Sequence, residues 1–418
     1  MEPWLVRAAA MHPDRSAVNG LTYAELETRA RAAAGALREL GVGPGDRVAL
    51  ALPAGLEFAV ALHGCLLAGA VGVPIDLRLT RSERETRIAG AKAVVEDPLD
   101  GPAISEVPAL ELDAVATLMH TSGTTAAPKP VPLTFGNWLA SALGSAVALG
   151  LDPDECWLCP MPLSHVGGLS IPIRSAIYGT SAVIHDGFDP DAVLDALSGG
   201  ITLVSLVPTM LSRLLDAGLS DPPSLRWALL GGGPIPAPLL ERAAGAGVPV
   251  APTYGMTEAC SQIATRGWPL PGVDVRIAPD DEILVRGPNV SAEALAPDGW
   301  LHTGDLGRFD GRGRLEITGR KSEVIVSGGE NVAPAEVEAV LLEHPAVADA
   351  CVFSRPDREW GESVVAAVVL REGTSLEEGE LRAHCAARLA AFKVPKAVDL
   401  VDHLPRSETG KLLRRELR

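Results

Sequence analysis

His120-Thr-Ser-Gly-Thr-Thr-Ala-Ala-Pro-Lys129 joins a short apolar run, Ala114–Met119, to a second run that leads into a helical pattern after Asn137. Four hydroxyl residues, a glycine and a lysine fall within this segment. No other stretch of the chain is so rich in donors and so poor in bulk. Hydroxyls, free backbone N–H groups and a lysine are what a loop needs to hold a polyphosphate. The spacing is not that of a Walker loop, because GxxxxGK[ST] is absent.

Helical and strand patterns alternate on both sides of this loop. Upstream, Leu26, Ala30, Ala33, Ala34 and Leu37 recur at helical spacing until Gly41 and Gly43 stop them. Arg47–Leu52 and Ala70–Ile75 read as strands around a helix over Gly55–Leu67. Residues 78–113 add one short helix, Thr80–Gly90, and one strand, Ala93–Glu96. Downstream, helices over Asn137–Ala148, Asp189–Leu197, Pro208–Leu215 and Ala237–Ala244 alternate with strands at Cys156–Pro160, Ser181–Ile184, Thr202–Val207, Arg226–Leu230 and Val248–Pro252. Such alternation predicts a parallel α/β sheet. The last two strands end in Gly231-Gly-Gly-Pro234 and Thr253-Tyr-Gly-Met-Thr-Glu258, and open parallel sheets bind ligands beyond their carboxyl ends.

From Val273 the pattern changes to short alternating runs, Val273–Ile277, Glu282–Val285 and Leu315–Thr318, which predict a small β subdomain. Gly319-Arg320 marks the domain boundary. Beyond it, Glu323–Ser327, Pro334–Leu342, Ala348–Ser354, Ser363–Leu370 and Leu376–Ala391 read as strand, helix, strand, strand and helix, followed by a polar tail. The expected fold class is α/β: a large N-terminal domain of parallel α/β sheets plus the β subdomain (1–318), then a small mobile α+β C-terminal domain (319–418).

Composition narrows the function classes. A chain of 418 residues exceeds what one core fills, and 47% hydrophobic with 21% charged residues describes a globular protein. The net charge of −17 argues against a general nucleic-acid binder, so an anionic substrate must be held by placed groups. Six cysteines fit no disulfide framework, and Cys156-Trp-Leu-Cys159 is a lone CxxC with no second pair, better read as strand than as zinc or redox site. The N-terminus lacks the uninterrupted apolar core of a signal peptide. Phe58–Ile75 contains His63, glycines and Pro74, which suits a buried helix and strand rather than a membrane span. The expected compartment is the cytoplasm.

TSGTTxxPK (121–129), YGMTE (254–258), WLHTGDLG (300–307), GRKSEVIVSGGENVAPAEVE (319–338) and PRSETGKLLRREL (405–417) stand in the order found in the adenylate-forming superfamily of acyl- and aryl-CoA ligases, adenylation domains and luciferase. Each motif is weak alone, but together they span nearly the whole chain. The resemblance implies an acid–thiol ligase that uses ATP and Mg²⁺ and passes the acyl group to CoA. In it, Thr121, Ser122, Gly123, Thr124, Thr125 and Lys129 cradle the phosphates. Gly231, Gly232, Gly233 and Pro234 wall the adenine, and Thr253, Tyr254, Gly255 and Met256 continue that wall, with Tyr254 stacking on the base. Thr257 meets the α-phosphate and Glu258 holds Mg²⁺. Asp305 and Arg320 take the ribose. Lys411 reaches in from the tail to stabilise charge in adenylation. Residues 320–322 form the hinge, centred on Ser322, and Gly328, Gly329 and Glu330 line the path of CoA.

Two residues depart from the family pattern. Ala126 and Pro130 stand where glycine is usual, and a left-handed alanine costs about 1 kcal/mol. The runs around Met161-Pro-Leu-Ser-His165, Thr202–Leu211 and Pro252–Gln262 most resemble the o-succinylbenzoate–CoA ligase branch, which serves menaquinone biosynthesis. There His165 orients the acid, while Ser164 replaces a common aromatic. Arg174, Gln262 and Arg266 are candidates for a second carboxylate by charge and location. Other expectations stay open: a different aryl or short acyl acid, a carrier protein in place of CoA, a homodimer as in relatives, or a non-catalytic acyl-adenylate-binding protein.

Overall fold

The helix Leu56–Ala68 has an apolar residue at almost every position, and the fold buries it almost whole. It packs against Tyr23–Glu39, which Thr22 and Glu25 start with a reciprocal capping box. A Cβ on Gly64 would stand 2.7 Å from the Ala33 Cβ, so glycine sets how closely these helices approach. The computed structural model describes residues 1–121, 129–358, 360–406 and 412–417.

Two sheets make up the body of the large N-terminal domain. The first has the order Ala93–Val95, Arg47–Leu50, Val71–Pro74, Val115–Thr121, Lys129–Thr134, parallel except for the last strand. The second has nine strands, with a parallel centre of Val250–Met256, Trp227–Leu230, Leu203–Leu206, Cys156–Cys159, Ser181–Ile184 and Ser16–Val18. Antiparallel Ser261–Thr265 and Trp268–Pro269 extend one side, and Leu21–Thr22 the other. A four-stranded antiparallel sheet, Asp274–Ile277, Glu282–Arg286, Leu301–Phe309 and Leu315–Arg320, is the expected β subdomain. The small C-terminal domain holds a five-stranded sheet dominated by the hairpin of Val347–Asp357 and Gly361–Leu370.

Several elements escaped the periodicity. Val166–Tyr178 is a helix despite Gly167, Gly168 and an interior Pro172. Leu169, Ile171 and Ile173 are wholly buried there, so packing overrides a poor propensity. The strand expected to end at Pro252 runs on to Met256, because Ser261–Thr265 folds back and pairs with it. The short helix Trp4–Met11 and the strands Leu301–Phe309 and Ala397–Leu400 were also not anticipated. The helix expected over Leu376–Ala391 is shorter, Glu378–Ala386.

Pro130 has a structural explanation. Lys129–Thr134 is an edge strand paired only with Val115–Thr121, and Pro130 and Pro132 lie on it two residues apart. Prolines are accommodated on an edge, where their missing N–H faces away from the ladder. The next outward N–H, of Thr134, is taken by Asn137 Oδ1 at 2.9 Å. Ala126 lies outside the described residues.

In the C-terminal domain, Arg414 holds the tail down. Its guanidinium donates to both oxygens of buried Glu338 at 2.8 Å and to Glu323 at 2.8 Å. A bidentate pair of this kind satisfies a carboxylate that would otherwise be costly to bury.

His63 supplies a test of the core. It is 3% exposed on the buried helix, its Nε2 meets no partner, and burial lowers its pKa to about 4. The unfolded chain takes up this proton near pH 6.5, the folded chain only near 4, so stability falls as the pH drops through that window. His63→Leu is therefore expected to lose about 2 kcal/mol less than wild type between pH 7.5 and pH 5. Melting curves at the two pH values check it; equal losses would contradict it.

Candidate active site

Strands of the two large sheets direct their carboxyl ends into one cavity of about 1040 Å³. Asp76 and Arg78 follow Val71–Pro74, and His120 and Thr121 end Val115–Thr121. From the second sheet come Ser164 and His165, Gly231 and Gly232, and the segment Gly255–Glu258. Arg320, at the end of the β subdomain, closes one side.

One half of the cavity has glycine walls. A Cβ on Gly231 would lie 2.7 Å from Thr253 Cγ2, and one on Gly255 only 1.7 Å from the carbonyl oxygen of Ser261. These glycines are dictated by the packing of neighbouring strands, and they leave backbone facing the cavity. Cys260 and Ser261 turn the chain back with φ of 50° and 91°, a conformation that strains non-glycine residues. Met256, Thr257 and Glu258 line the cavity, as does Thr253. Gly233 and Pro234 continue the turn beyond the lining residues. Glu258 is a single carboxylate, and among the described residues no group of three His, Cys, Asp or Glu could hold a metal alone. That donor set fits Mg²⁺, which takes one or two carboxylates and completes its shell with phosphate and water oxygens.

Tyr254 has contacts of its own beside the cavity. It packs against the core of the β subdomain, and its hydroxyl donates to Asp305 Oδ2 at 2.9 Å. Burial, then the neighbouring Asp305 charge, pushes the phenol pKa far up. Arg320 Nε donates to the other oxygen of Asp305 at 2.6 Å. The expected ribose pair is thus joined directly, with Tyr254 as a third member. Thr121 lines the cavity, and Lys129 lies exposed across from it on the paired strand. Ser122, Gly123, Thr124, Thr125 and Lys411 lie outside the described residues.

The other half is built around His165, which caps the helix Val166–Tyr178. Its Nε2 stands 3.9 Å from Asp76 Oδ2, and Ser164 Oγ donates to the same oxygen at 3.2 Å. Arg78 grips Asp76 through Nε at 2.8 Å and Nη2 at 2.6 Å. Burial alone would raise the Asp76 pKa, but the Arg78 hydrogen bonds and charge bring it down to about 2. Burial lowers the pKa of His165, with Asp76 acting the other way. Burial and the charges of Arg87 and Arg47 lower that of His120 to about 4. Both imidazoles are therefore neutral near pH 7.

Of the three candidates for a second carboxylate, the structure separates one. Arg266 stacks on Trp227 and donates to the Ala148 carbonyl on the surface, away from the cavity lining. Its place in the motif ran past the turn, where positive φ at Arg266 points the chain outward. Gln262 lines the cavity and is 1% exposed, with Nε2 donating to Thr265 and Oε1 unpartnered. Arg174 is fully buried and stands behind the cavity lining. Arg174 Nη2 donates to Ser141 Oγ at 2.8 Å, Ser141 donates to the Cys260 carbonyl, and Nε and Nη1 meet no partner. Asp76, Arg78 and Arg213, which also line the cavity, were missed by sequence reading. For Asp76 and Arg78, charged residues following an apolar strand were the available signal; Arg213 lies within the helix Pro208–Asp216 and had none.

Ser322 lies in the short turn Lys321–Glu323, directly after the strand Leu315–Arg320. Lys321 beside it donates to Asp280 at 2.6 Å and to Glu282 at 3.1 Å. Gly328 and Gly329, with φ of 60° and 85°, turn the hairpin of Ile325–Ser327 and Glu330–Val332. Trp360 packs so closely on this turn that a Cβ on Gly328 would lie 2.6 Å from its ring.

Comparison with known proteins agrees with this geometry. The model of the AMP-binding enzyme family matches residues 5–101 and 92–293, and that of the AMP-binding enzyme C-terminal domain matches 336–411. The 2-succinylbenzoate–CoA ligase of Bacillus licheniformis is 39% identical over 473 residues, covering 99% of this chain and 98% of the relative. The o-succinylbenzoate CoA synthetase of Bacillus subtilis, solved with the acyl-adenylate intermediate OSB-AMP, superposes with a TM-score of 0.92 at 38% identity, covering 100% of this chain and 98% of that one. The same enzyme solved with ATP and magnesium ion gives 0.91 at 37% identity, covering 100% and 99%.

The glycine walls yield a paired prediction. Gly255→Ala has no room and is expected to raise the KM for ATP at least about tenfold. Gly233→Ala meets nothing within 4 Å and is expected to leave it within about twofold. Initial-rate kinetics on both variants check the contrast, and equal effects would refute the packing account. With the two family models covering most of its length and full-length relatives near 38% identity, the chain belongs to the family of AMP-binding enzymes.

Proposed function

We propose that this protein is an ATP-dependent acid–CoA ligase whose acid is o-succinylbenzoate. The observation that carries the reading is the shared cavity, in which a glycine-walled half ending in Thr257, Glu258 and Arg320 faces a half built on Ser164 and His165. A carboxylate oxygen of the acid attacks the α-phosphorus of ATP, and pyrophosphate leaves. The sulfur of CoA then attacks the acyl carbon, and AMP leaves.

Each group has a part in this reading. Backbone at Gly231, Gly232, Gly255 and Met256 accepts the flat base at close range. The Asp305–Arg320 pair takes the ribose, and Tyr254 stacks on adenine while its hydroxyl fixes the orientation of Asp305. Thr257 donates to the α-phosphate. Mg²⁺, held by Glu258 and the phosphates, supplies charge neutralisation as pyrophosphate departs. Thr121 to Thr125 and Lys129 hold the leaving phosphates. Neutral His165 orients the acid. Arg174 supports the dicarboxylate assignment, because a buried guanidinium with two unpartnered nitrogens calls for a counter-charge. It donates to Ser141, which donates to the Cys260 carbonyl, two residues before Gln262 in the cavity wall.

The reading extends to the whole chain. The C-terminal domain turns on residues 320–322 about Ser322, brings Lys411 in for adenylation, and then presents Gly328, Gly329 and Glu330 to CoA. No helix among the described residues is long and apolar enough to cross a membrane, and we place the protein in the cytoplasm. A homodimer belongs to the same proposal, and sedimentation decides it.

A panel of carboxylic acids with ATP, Mg²⁺ and CoA tests the assignment. o-Succinylbenzoate is expected to give AMP and the CoA thioester. Release of AMP only with another acid would overturn the substrate, transfer only to a carrier protein would overturn CoA, and no AMP with any acid would overturn catalysis. Lys411→Ala is expected to lower adenylation at least about a hundredfold while leaving thioester formation from supplied acyl-adenylate within about threefold. Equal loss of both steps would contradict the two-orientation mechanism.

A further inference from the structure

Asp76 lies on the loop after Val71–Pro74, in the first sheet, yet its carboxylate faces residues of the second. It is 7% exposed. One oxygen accepts from the Arg78 backbone N–H and Nε, at 3.1 and 2.8 Å. The other accepts from Arg78 Nη2 and from Ser164 Oγ, at 2.6 and 3.2 Å. His165 Nε2 is 3.9 Å from that second oxygen, and it is buried with no hydrogen-bond partner. A buried ring nitrogen without a partner is costly, and Asp76 is the carboxylate that stands nearest to it, at 3.9 Å.

We infer that Asp76 is a positioning residue: its carboxylate fixes the tautomer and orientation of His165, with Ser164 braced on the same oxygen, so that the imidazole presents a fixed ring face to the acid. This rests on the reading that His165 orients the acid. A hydrogen bond from Nε2–H to Asp76 leaves Nδ1 as an acceptor, because a neutral imidazole carries one proton. Asp76 is suited to the task. Arg78 keeps it ionised and rigid, and the pair adds no net charge to a site that takes an anion. The link also ties a loop of one sheet to the helix start of the other, so the acid half keeps its shape across the seam between them.

The charged and titratable groups around His165 are few. Asp76 and Arg78 flank it, Arg87 of the helix Arg81–Ile88 acts on it from behind, and His120 lines the same cavity from Val115–Thr121. Arg213, Glu258 and Arg320 line the cavity as well. Among the described residues, Asp76 is the carboxylate that comes within 4.0 Å of a His165 ring nitrogen.

Ring-nitrogen NMR on histidine-labelled full-length protein at pH 7.5, with His165 assigned by its loss in His165→Ala, reads the tautomer directly. The Nε2–H form is expected to dominate in wild type and to lose that dominance in Asp76→Asn. A dominant Nδ1–H form in wild type overturns the inference, and this arm requires no Asp76 variant to fold. A double-substitution cycle supplies the kinetic arm. Asp76→Asn is expected to raise the KM for the acid about tenfold with the KM for ATP within about twofold, and to add less than about twofold in the His165→Ala background. Multiplicative effects overturn the inference, since Asp76 would then act independently of His165. Should no acid be activated by wild type, the function assignment falls while the NMR arm still decides the role of Asp76.

Discussion

The carboxylate of Asp305 accepts from Tyr254 and from Arg320, and one side of the cavity hangs on it. These three residues come from the end of the last long parallel strand, from the middle of the β subdomain, and from the residue before the turn into the C-terminal domain. A buried carboxylate is stable only when its lone pairs are used, and here a charge-assisted bond and a phenol use them. The result fixes three segments relative to one another. Remove the charge, and Arg320 loses its anchor at the end of the strand Leu315–Arg320.

That interaction also explains where sequence reading stopped. The alternating helices and strands, the β subdomain and the small terminal domain were legible because burial repeats at fixed periods along each element. Val166–Tyr178 was not, because its glycines and proline spoil the local signal and only packing against both neighbours makes it helical. Tyr254 was recognisable as a site residue by its motif. The partner of its hydroxyl was not, because Asp305 comes from the β subdomain, some fifty residues on. Asp305 and Arg320 were read as separate ribose contacts; their pairing depends on a strand register that no motif encodes.

The acid half shows the same limit from the other direction. Charge and position nominated Arg174, Gln262 and Arg266 alike. Burial separates them: Arg174 and Gln262 are enclosed, while Arg266, just past the strand Ser261–Thr265, donates to the Ala148 carbonyl at the surface. Asp76 and Arg78 had no motif to point to them. They matter because two sheets meet there, and a contact across a seam is a property of tertiary structure alone.

Prolines at 130 and 132 have a consequence beyond the loop that they follow. The outward side of Lys129–Thr134 would ordinarily offer a row of N–H donors to any passing strand. Two of those donors do not exist, and the third, on Thr134, is held by Asn137. The edge of the sheet nearest the phosphate loop is therefore closed to strand addition. A polar loop can sit at this edge without making it a seed for aggregation.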